Sequence, residues 1–363
     1  MEKRVLGRTG LWVSTLGIGA GQYGAFGKTT ESDCICIAHA GFDGGVNLID
    51  TADFYSFGES ETIVGKVIAD RRDRIILATK CGMPMSDDPN ERGASRRWLR
   101  ASVERSLRRL GTDYIDLYQC HQPDPATPIE ETVEAMTELV REGKIRYFGL
   151  SNSPAALVTE AVLRGQLRGA GKIQSEQSAY SIFNRRPEAE LLPACEALGV
   201  GFLAYSPLDG GWLGGRLRVG VNAEATARQR LNPTRFDLTS PANGEKLQCV
   251  EALGALAAEA GLALPHMGIA FVLSHRAVTS ALVGGSSLEQ MQAHLAGQDV
   301  RLADDVLDRI DAIVTPGVNL PEAPNPSPAL KDASLRRRST KTVGPDGGRG
   351  EFFRTLVADE KTT

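Results

Sequence analysis

Three apolar, β-branched runs in this 363-residue chain end on ionisable groups: VNLID on Asp50, RIILATK on Lys80 and IDLYQCH on His121. Tyr55 follows Asp50 in the loop DTADFYSFGE. Taken singly, each has an ordinary explanation. An aspartate at a strand end caps the next turn, a lysine there is a solvated rim residue, and a histidine between Cys120 and Gln122 is a satisfied structural one. Together they make a proton-transfer set. A lysine that loses water needs a counter-ion, which Asp50 supplies, and an ammonium beside a phenol favours the phenolate and so lowers the tyrosine's pKa. Tyr55 would then give a proton, and His121, neutral or charged, would hydrogen-bond the same substrate oxygen and orient it.

Such a set forms only if the runs lie side by side and parallel. Eight runs qualify as strands: STLGIGA at 14–20, VNLID at 46–50, RIILATK at 74–80, IDLYQCH at 115–121, IRYFGLSN at 145–152, KIQSEQSAY at 172–180, VGFLAYSPL at 200–208 and TSALVGG at 279–285. The ends at Asp50, Lys80, His121, Ser151, Gln177 and Tyr205 fall about 30 residues apart, the length of one βα unit. Helical spacing fills the intervals. A helix from about Ser95 to Leu110 turns Leu99, Val103, Leu107 and Leu110 inward, its outer face is rich in arginine, and Gly111 ends it. Another places Ile129, Val133, Met136 and Val140 on one face, with Thr127-Pro128-Ile129-Glu130 read as a capping box carrying proline at the first helical position.

This alternation predicts an α/β fold, a (β/α)8 TIM barrel over residues 1–316, with RVLGRTGLWVS forming an N-terminal β-hairpin across its floor. A doubly wound sheet fits less well, because no GxGxxG follows the first strand, and GAGQYGAFG lacks both that spacing and the Lys-Ser/Thr of a phosphate loop. Past Pro316 come four prolines, the run Leu335-Arg336-Arg337-Arg338 and GPDGGRG, without apolar periodicity; residues 317–363 are expected to be a disordered tail.

Composition narrows the partners. Hydrophobic residues at 42% and charged residues at 24% support a large core and exclude wholesale disorder. A net charge of -4 offers no field to draw nucleic acid or anionic lipid. No stretch reaches the roughly 18 apolar residues of a membrane span, and MEKRVLGRTG leads into no signal-type region, so a cytoplasmic location is expected. The six cysteines form no CxxC pair, and of five histidines only His121 sits at a catalytic strand end, so neither disulfide, zinc nor metal-dependent hydrolysis is expected.

The motifs LGRTGLWVSTLGIGAGQYG, NLIDTADFYSFGESE, ILATK, DLYQCHQPD, GKIRYFGLSN, QSAYSIFNRR, AYSPL, GGWLGGR and ALVGGSSLEQM stand in an order and spacing that resembles the aldo-keto reductase family over about residues 4–315. The resemblance implies a catalytic tetrad of Asp50, Tyr55, Lys80 and His121, with Tyr55 as general acid in carbonyl reduction and general base in alcohol oxidation, and hydride from a nicotinamide. Ser151, Asn152 and Gln177 match positions that hydrogen-bond the carboxamide, and Tyr205 the ring that stacks on the nicotinamide. Ser206, Pro207 and Leu208 with Gly210 and the rest of GGWLGG match the loop over the pyrophosphate, where backbone N–H groups serve. Gly284, Ser286 and Gln290 match the adenosine end, and Gly19 and Ala20 are further cofactor positions.

Two features depart from the family pattern. Ala293 and His294 stand where Glu-Asn often recognises adenine, and Ser286 replaces a cation beside the 2′-phosphate. An arginine among Arg216, Arg218, Arg228, Arg230 and Arg235 would then supply that cation. NADP(H) is the expected cofactor, with NAD(H) open. The expected partner is a small aldehyde or ketone; sugar or alcohol oxidation on the same site, and a cofactor-binding regulatory subunit of membrane channels, are the alternatives. Tyr23, Phe26, Phe54, Met83 and Trp212 are candidate apolar lining. Substrate identity and oligomeric state stay open.

Overall fold

The computed structural model describes residues 1–320 apart from Lys28, 218–229, 231 and 232. Strands β1 (Lys3–Val5) and β2 (Trp12–Ser14) form the expected antiparallel hairpin. Gly7, at φ 56°, makes it possible: a Cβ there would meet three backbone atoms at 2.7–2.8 Å. Eight parallel strands then close a barrel: β3 (Leu16–Gly19), β4 (Leu48–Asp50), β5 (Ile76–Cys81), β6 (Ile115–Cys120), β7 (Ile145–Ser151), β8 (Ser175–Ala179), β9 (Gly201–Tyr205) and β10 (Val278–Val283). Neighbours in sequence pair throughout, and β10 closes the ring on β3 with Ala281 opposite Leu16.

Each strand falls on one of the eight expected runs, to within a residue, and most are shorter than the run. Val46 and Asn47 precede β4, for example, where the Asn47 side chain accepts from Ser14 N–H at 2.7 Å and ties the hairpin to the barrel. Alternation then decides what faces inward. Leu48, Ile76, Ala78, Leu117, Leu203 and Leu282 fill the interior with Leu6 and Val13 of the hairpin, which seals the floor. Two residues farther along the same inner faces stand Asp50, Lys80, Gln119 and Tyr205.

The opposite faces pack under the helices, with Ile49, Leu77 and Tyr118 meeting Val64, Leu99, Val103, Val133 and Met136. These helices are α1 (Glu31–Asp43), α2 (Glu59–Ile68), α3 (Arg96–Leu110), α4 (Ile129–Arg141), α5 (Ala155–Leu167), α6 (Leu191–Leu198), α7 (Pro241–Glu259), α8 (Leu264–Ser274), α9 (Leu288–Ala296) and α10 (Asp304–Ile313). Helix α3 follows expectation: Ser95 caps it by accepting from Trp98 N–H, Gly111 ends it at φ 62°, and Arg100 on its outer face pairs with Glu138 of α4 and with Glu142 just past that helix.

Helix α4 departs from expectation. Pro128 is its N-cap rather than its first residue, and no capping box forms, because the Thr127 hydroxyl donates to Asp124 at 2.7 Å. Asp124 also accepts from the Ala94 and Ala126 N–H groups, so it organises the loop and takes the hydroxyl the cap would have used. At the other end, the chain stays packed past the expected boundary at 316. Arg185 N–H donates to Val318 O at 3.1 Å and Leu320 N–H to Phe183 O at 2.8 Å. The expectation for the rest of the tail concerns 321–363, outside the described residues. Among the described residues no single helix is long and apolar enough to cross a membrane; α7 and α8 pass that test only as a pair bent by 90°.

Candidate active site

The barrel brings the four expected residues to one place at the C-terminal ends of its strands. Asp50 closes β4 and Lys80 lies next to the end of β5, both buried. The Lys80 ammonium donates to Asp50 Oδ2 at 2.5 Å, to Thr51 O at 2.9 Å and to Tyr55 Oη at 3.4 Å, which uses all three of its protons. Burial works against that charge, but the carboxylate of Asp50 and then the Tyr55 oxygen outweigh it and hold the lysine's pKa above its ordinary value. The other Asp50 oxygen accepts from Gln177 Nε2 at 2.8 Å and Gln119 Nε2 at 3.4 Å.

Tyr55 opens a single 3-10 turn (Tyr55–Gly58) in which Ser56 and Phe57 adopt positive φ of 48° and 51°. Non-glycine residues in that region are strained by about 1–3 kcal/mol each and need outside support. The Ser56 hydroxyl supplies it, donating to Tyr23 O at 2.9 Å while accepting from Phe26 N–H at 3.0 Å. His121 follows β6 directly; its N–H donates to Cys81 O at 2.8 Å and its carbonyl accepts from Asn152 Nδ2 at 2.9 Å. Its ring stands edge-on to Tyr55, centroids 5.5 Å apart. Burial, then the nearby Lys80 charge, push its pKa down to about 3, so the imidazole is neutral. His121 Nδ1 is buried with no hydrogen-bond partner among the described residues.

The residues expected to hold a cofactor follow the same rim. Ser151 is buried at the end of β7, and Asn152 sits at φ 56° beside it. The Asn152 side chain is a junction, donating to His121 O and to Ser151 Oγ and accepting from Tyr205 Oη at 2.8 Å. Gln177 is buried on β8, with its amide turned to Asp50. Tyr205 ends β9, half-buried, and Ser206, Pro207, Leu208 and Gly210 form the turn beyond it. Across the mouth, Gly19 and Gly284 approach closely: a Cβ on Gly284 would lie 3.3 Å from Gly19 O. Ser286 and Gln290 pair with each other, the Gln290 Oε1 accepting from Ser286 N–H at 2.9 Å and from its hydroxyl at 3.1 Å.

Some expectations need correction. Ala20 is buried, with its N–H given to Asp50 O and its carbonyl to the Ser60 hydroxyl, so it backs the wall and has no free backbone group to offer. Tyr23 and Trp212 are fully buried core, Trp212 stacked on Phe236, and not lining. Phe26 and Phe54 do meet beside the Tyr55 turn, joined by Phe57, which is 46% exposed and was not anticipated. His294 is also buried, against the Gly284 backbone. Of the five arginines, Arg218 and Arg228 lie outside the described residues, and among the three described Arg235 reaches the post-β9 turn, 2.7 Å from Asp209.

Sequence reasoning missed two buried groups behind this rim. Glu176, on the outer face of β8, accepts from Ser153 N–H at 3.0 Å and from the Ser178 hydroxyl at 2.7 Å; its other oxygen has no partner among the described residues, and burial raises its pKa to about 8. Asp209 forms a buried ion pair with Lys246 of α7. The first was legible only as one more polar residue in SEQSA, and the second joins positions 37 apart.

Comparison with known proteins now decides the class. The Aldo/keto reductase family matches residues 15–315. The chain belongs to this family. It is 36% identical over 335 residues to the Bacillus subtilis (strain 168) protein named "Uncharacterized oxidoreductase YrpG", covering 89% of this chain and 99% of that one. It is 36% identical over 298 residues to "Aldo-keto reductase YhdN" of the same organism, covering 81% and 87%. A rice protein (Oryza sativa subsp. japonica) named "Probable voltage-gated potassium channel subunit beta" is 34% identical over 322 residues, covering 86% and 97%. Membership of the family implies an NAD(P)H-dependent oxidoreductase acting on small carbonyl compounds.

The residues present fit a nicotinamide dinucleotide. A buried, unpartnered imidazole nitrogen lies beside a phenol and an ammonium, and glycines stand where a side chain would narrow the track: a Cβ on Gly210 would meet Arg235 at 3.2 Å, and one on Gly284 would meet Gly19 O.

Proposed function

We propose that this protein is a cytoplasmic NADP(H)-dependent reductase of aldehydes or ketones, with Tyr55 as its general acid. The observation that carries the reading is the chain from Asp50 through Lys80 to Tyr55 beside a neutral His121. A nicotinamide held in the track would supply the hydride for the carbonyl carbon. Tyr55 Oη gives the proton to the carbonyl oxygen, and the adjacent ammonium stabilises the phenolate left behind. Asp50 keeps that ammonium charged in a buried place, which a lone lysine would resist. A neutral His121 is suited to donate one hydrogen bond to the substrate oxygen without competing for its proton.

Ser151, Asn152 and Gln177 would hold the carboxamide, Tyr205 the ring face, Ser206 to Gly210 the pyrophosphate, and Gly284, Ser286 and Gln290 the adenosine end, with Gly19 a further cofactor position. Gln177 would have to share its amide between Asp50 and the cofactor, which ties carboxamide binding to the lysine's counter-ion. The 2′-phosphate would need Arg235, since Ser286 brings no charge. The barrel of 1–316 would act as a single domain.

The test is Tyr55→Phe. Carbonyl reduction across an aldehyde and ketone panel should fall by at least about a hundredfold, the scale of lost general acid catalysis. NADPH affinity, read by protein fluorescence, should stay within about twofold and exceed that for NADH. Full turnover by the variant would overturn the assignment. The likeness to proteins named as channel subunits supports one second reading, a regulatory role in which binding outweighs turnover. Tight NADPH binding by the wild type with no turnover on that panel would favour it.

A further inference from the structure

Past β9 the backbone takes an unusual course. Ser206, Asp209, Gly210 and Gly211 all have positive φ, at 53°, 49°, 70° and 115°. Two of the four are not glycine, so other contacts must hold them there. Asp209 provides those contacts. Its side chain is 9% exposed and has two cationic partners, Lys246 at Oδ2 and Arg235 at Oδ1, the latter at 2.7 Å.

The two cations are not equivalent. Lys246 is buried, with its ammonium 4.9 Å from the ring centre of Phe183 and 4.8 Å from that of Trp212, and burial draws its pKa down although Asp209 opposes the shift. Arg235 has a side chain 44% exposed and lies over Gly210. The three groups line a cavity of about 380 Å³ together with Tyr205, Ser206 and Asn243. One buried carboxylate needs one counter-ion, and Lys246 is enough. Arg235 is therefore a surplus positive charge at the wall of a cavity that adjoins the site.

We propose that Lys246 is a positioning residue: by neutralising Asp209 it frees Arg235 to leave Asp209 for a phosphate of the dinucleotide. This rests on the cofactor reading above and adds to it what frees Arg235 to serve. Without Lys246, Asp209 would be an unpaired charge in a poorly hydrated place and would hold Arg235 as its only partner. Removing both Asp209 and Lys246 charges would release Arg235 again.

The experiment compares NADPH dissociation constants, by fluorescence titration, for wild type, Lys246→Met, the double variant D209N/K246M, and Arg235→Ala. Thermal unfolding of each gives the folded fraction. Lys246→Met and Arg235→Ala should bind roughly ten- to a hundredfold more weakly, the range for one lost charge-assisted hydrogen bond. D209N/K246M should return to within about threefold of wild type, which a purely structural role for the pair would not produce. A double variant as weak as Lys246→Met overturns the proposal, as does unchanged binding by Arg235→Ala. If Lys246→Met does not fold, Arg235→Ala and the double variant decide by the same criteria. A wild type that binds neither NADPH nor NADH overturns the cofactor reading itself, and this proposal with it.

Discussion

Glu176→Gln should make the protein less stable in mild acid and more stable at pH 8, a reversal of sign that follows from one buried carboxyl. In the folded protein Glu176 has its pKa raised from an ordinary 4.5 to about 8, because burial disfavours its charge and no cation among the described residues sits beside it to compensate. Between those values the unfolded chain releases the proton and the folded chain keeps it, so stability must fall as pH rises through the window. At about 1.4 kcal/mol per unit the whole span amounts to an upper bound of about 5 kcal/mol. A glutamine does not titrate. It keeps an oxygen to accept from Ser153 N–H and the Ser178 hydroxyl, but puts an amide N–H₂ where Oε2 has no partner, at a cost of about 1–3 kcal/mol. The variant should therefore be less stable than wild type by up to about 2 kcal/mol at pH 5, and more stable by about 2 kcal/mol at pH 8. Urea denaturation at pH 5, 6.5 and 8 reads the difference directly. Asp53, also buried with a pKa raised to about 8, is common to both proteins and drops out of the comparison. A difference that does not change with pH would refute the reasoning.

Lys80→Met should lose carbonyl reduction and destabilise the fold by about 3–5 kcal/mol, because Asp50 would be left buried without its counter-ion; denaturation and NADPH-oxidation assays check both halves, and a stable, active variant would contradict the account. With His121 held neutral down to about pH 3, kcat/KM should show no inflection near pH 6.5 that His121→Gln removes. A pH–rate profile of both proteins settles this, and an inflection near 6.5 confined to wild type would mean that the imidazole is charged in use.

The barrel was legible because two periodicities overlap in the sequence. A run such as RIILATK alternates faces, so Lys80 had to share the inner side with Ile76 and Ala78, and the βα spacing brought its neighbours' ends level. Asp50, Lys80 and His121 followed from those two facts, whereas Tyr55 lies on a strained turn that neither periodicity marks. What stayed hidden depends on contacts without a local signature. Gln177 reaches Asp50 across 127 positions, and nothing in KIQSEQSAY marks its amide for that carboxylate rather than for a ligand. Glu176 and Lys246 look like ordinary polar residues, since whether a charge is buried is settled by the elements packed against it. Local reading also claimed too much at Thr127, where the Thr-x-x-Glu spacing was real but Asp124 took the hydroxyl.

The central claim is that this chain moves hydride from a nicotinamide to a carbonyl carbon. NADPH deuterated on the transferring face of C4 should deliver its deuterium to the carbinol carbon of the alcohol product with the wild-type protein, and at a rate at least about a hundredfold lower with Tyr55→Phe. Alcohol formed without deuterium at that carbon, whichever face of the cofactor carried it, would contradict the account.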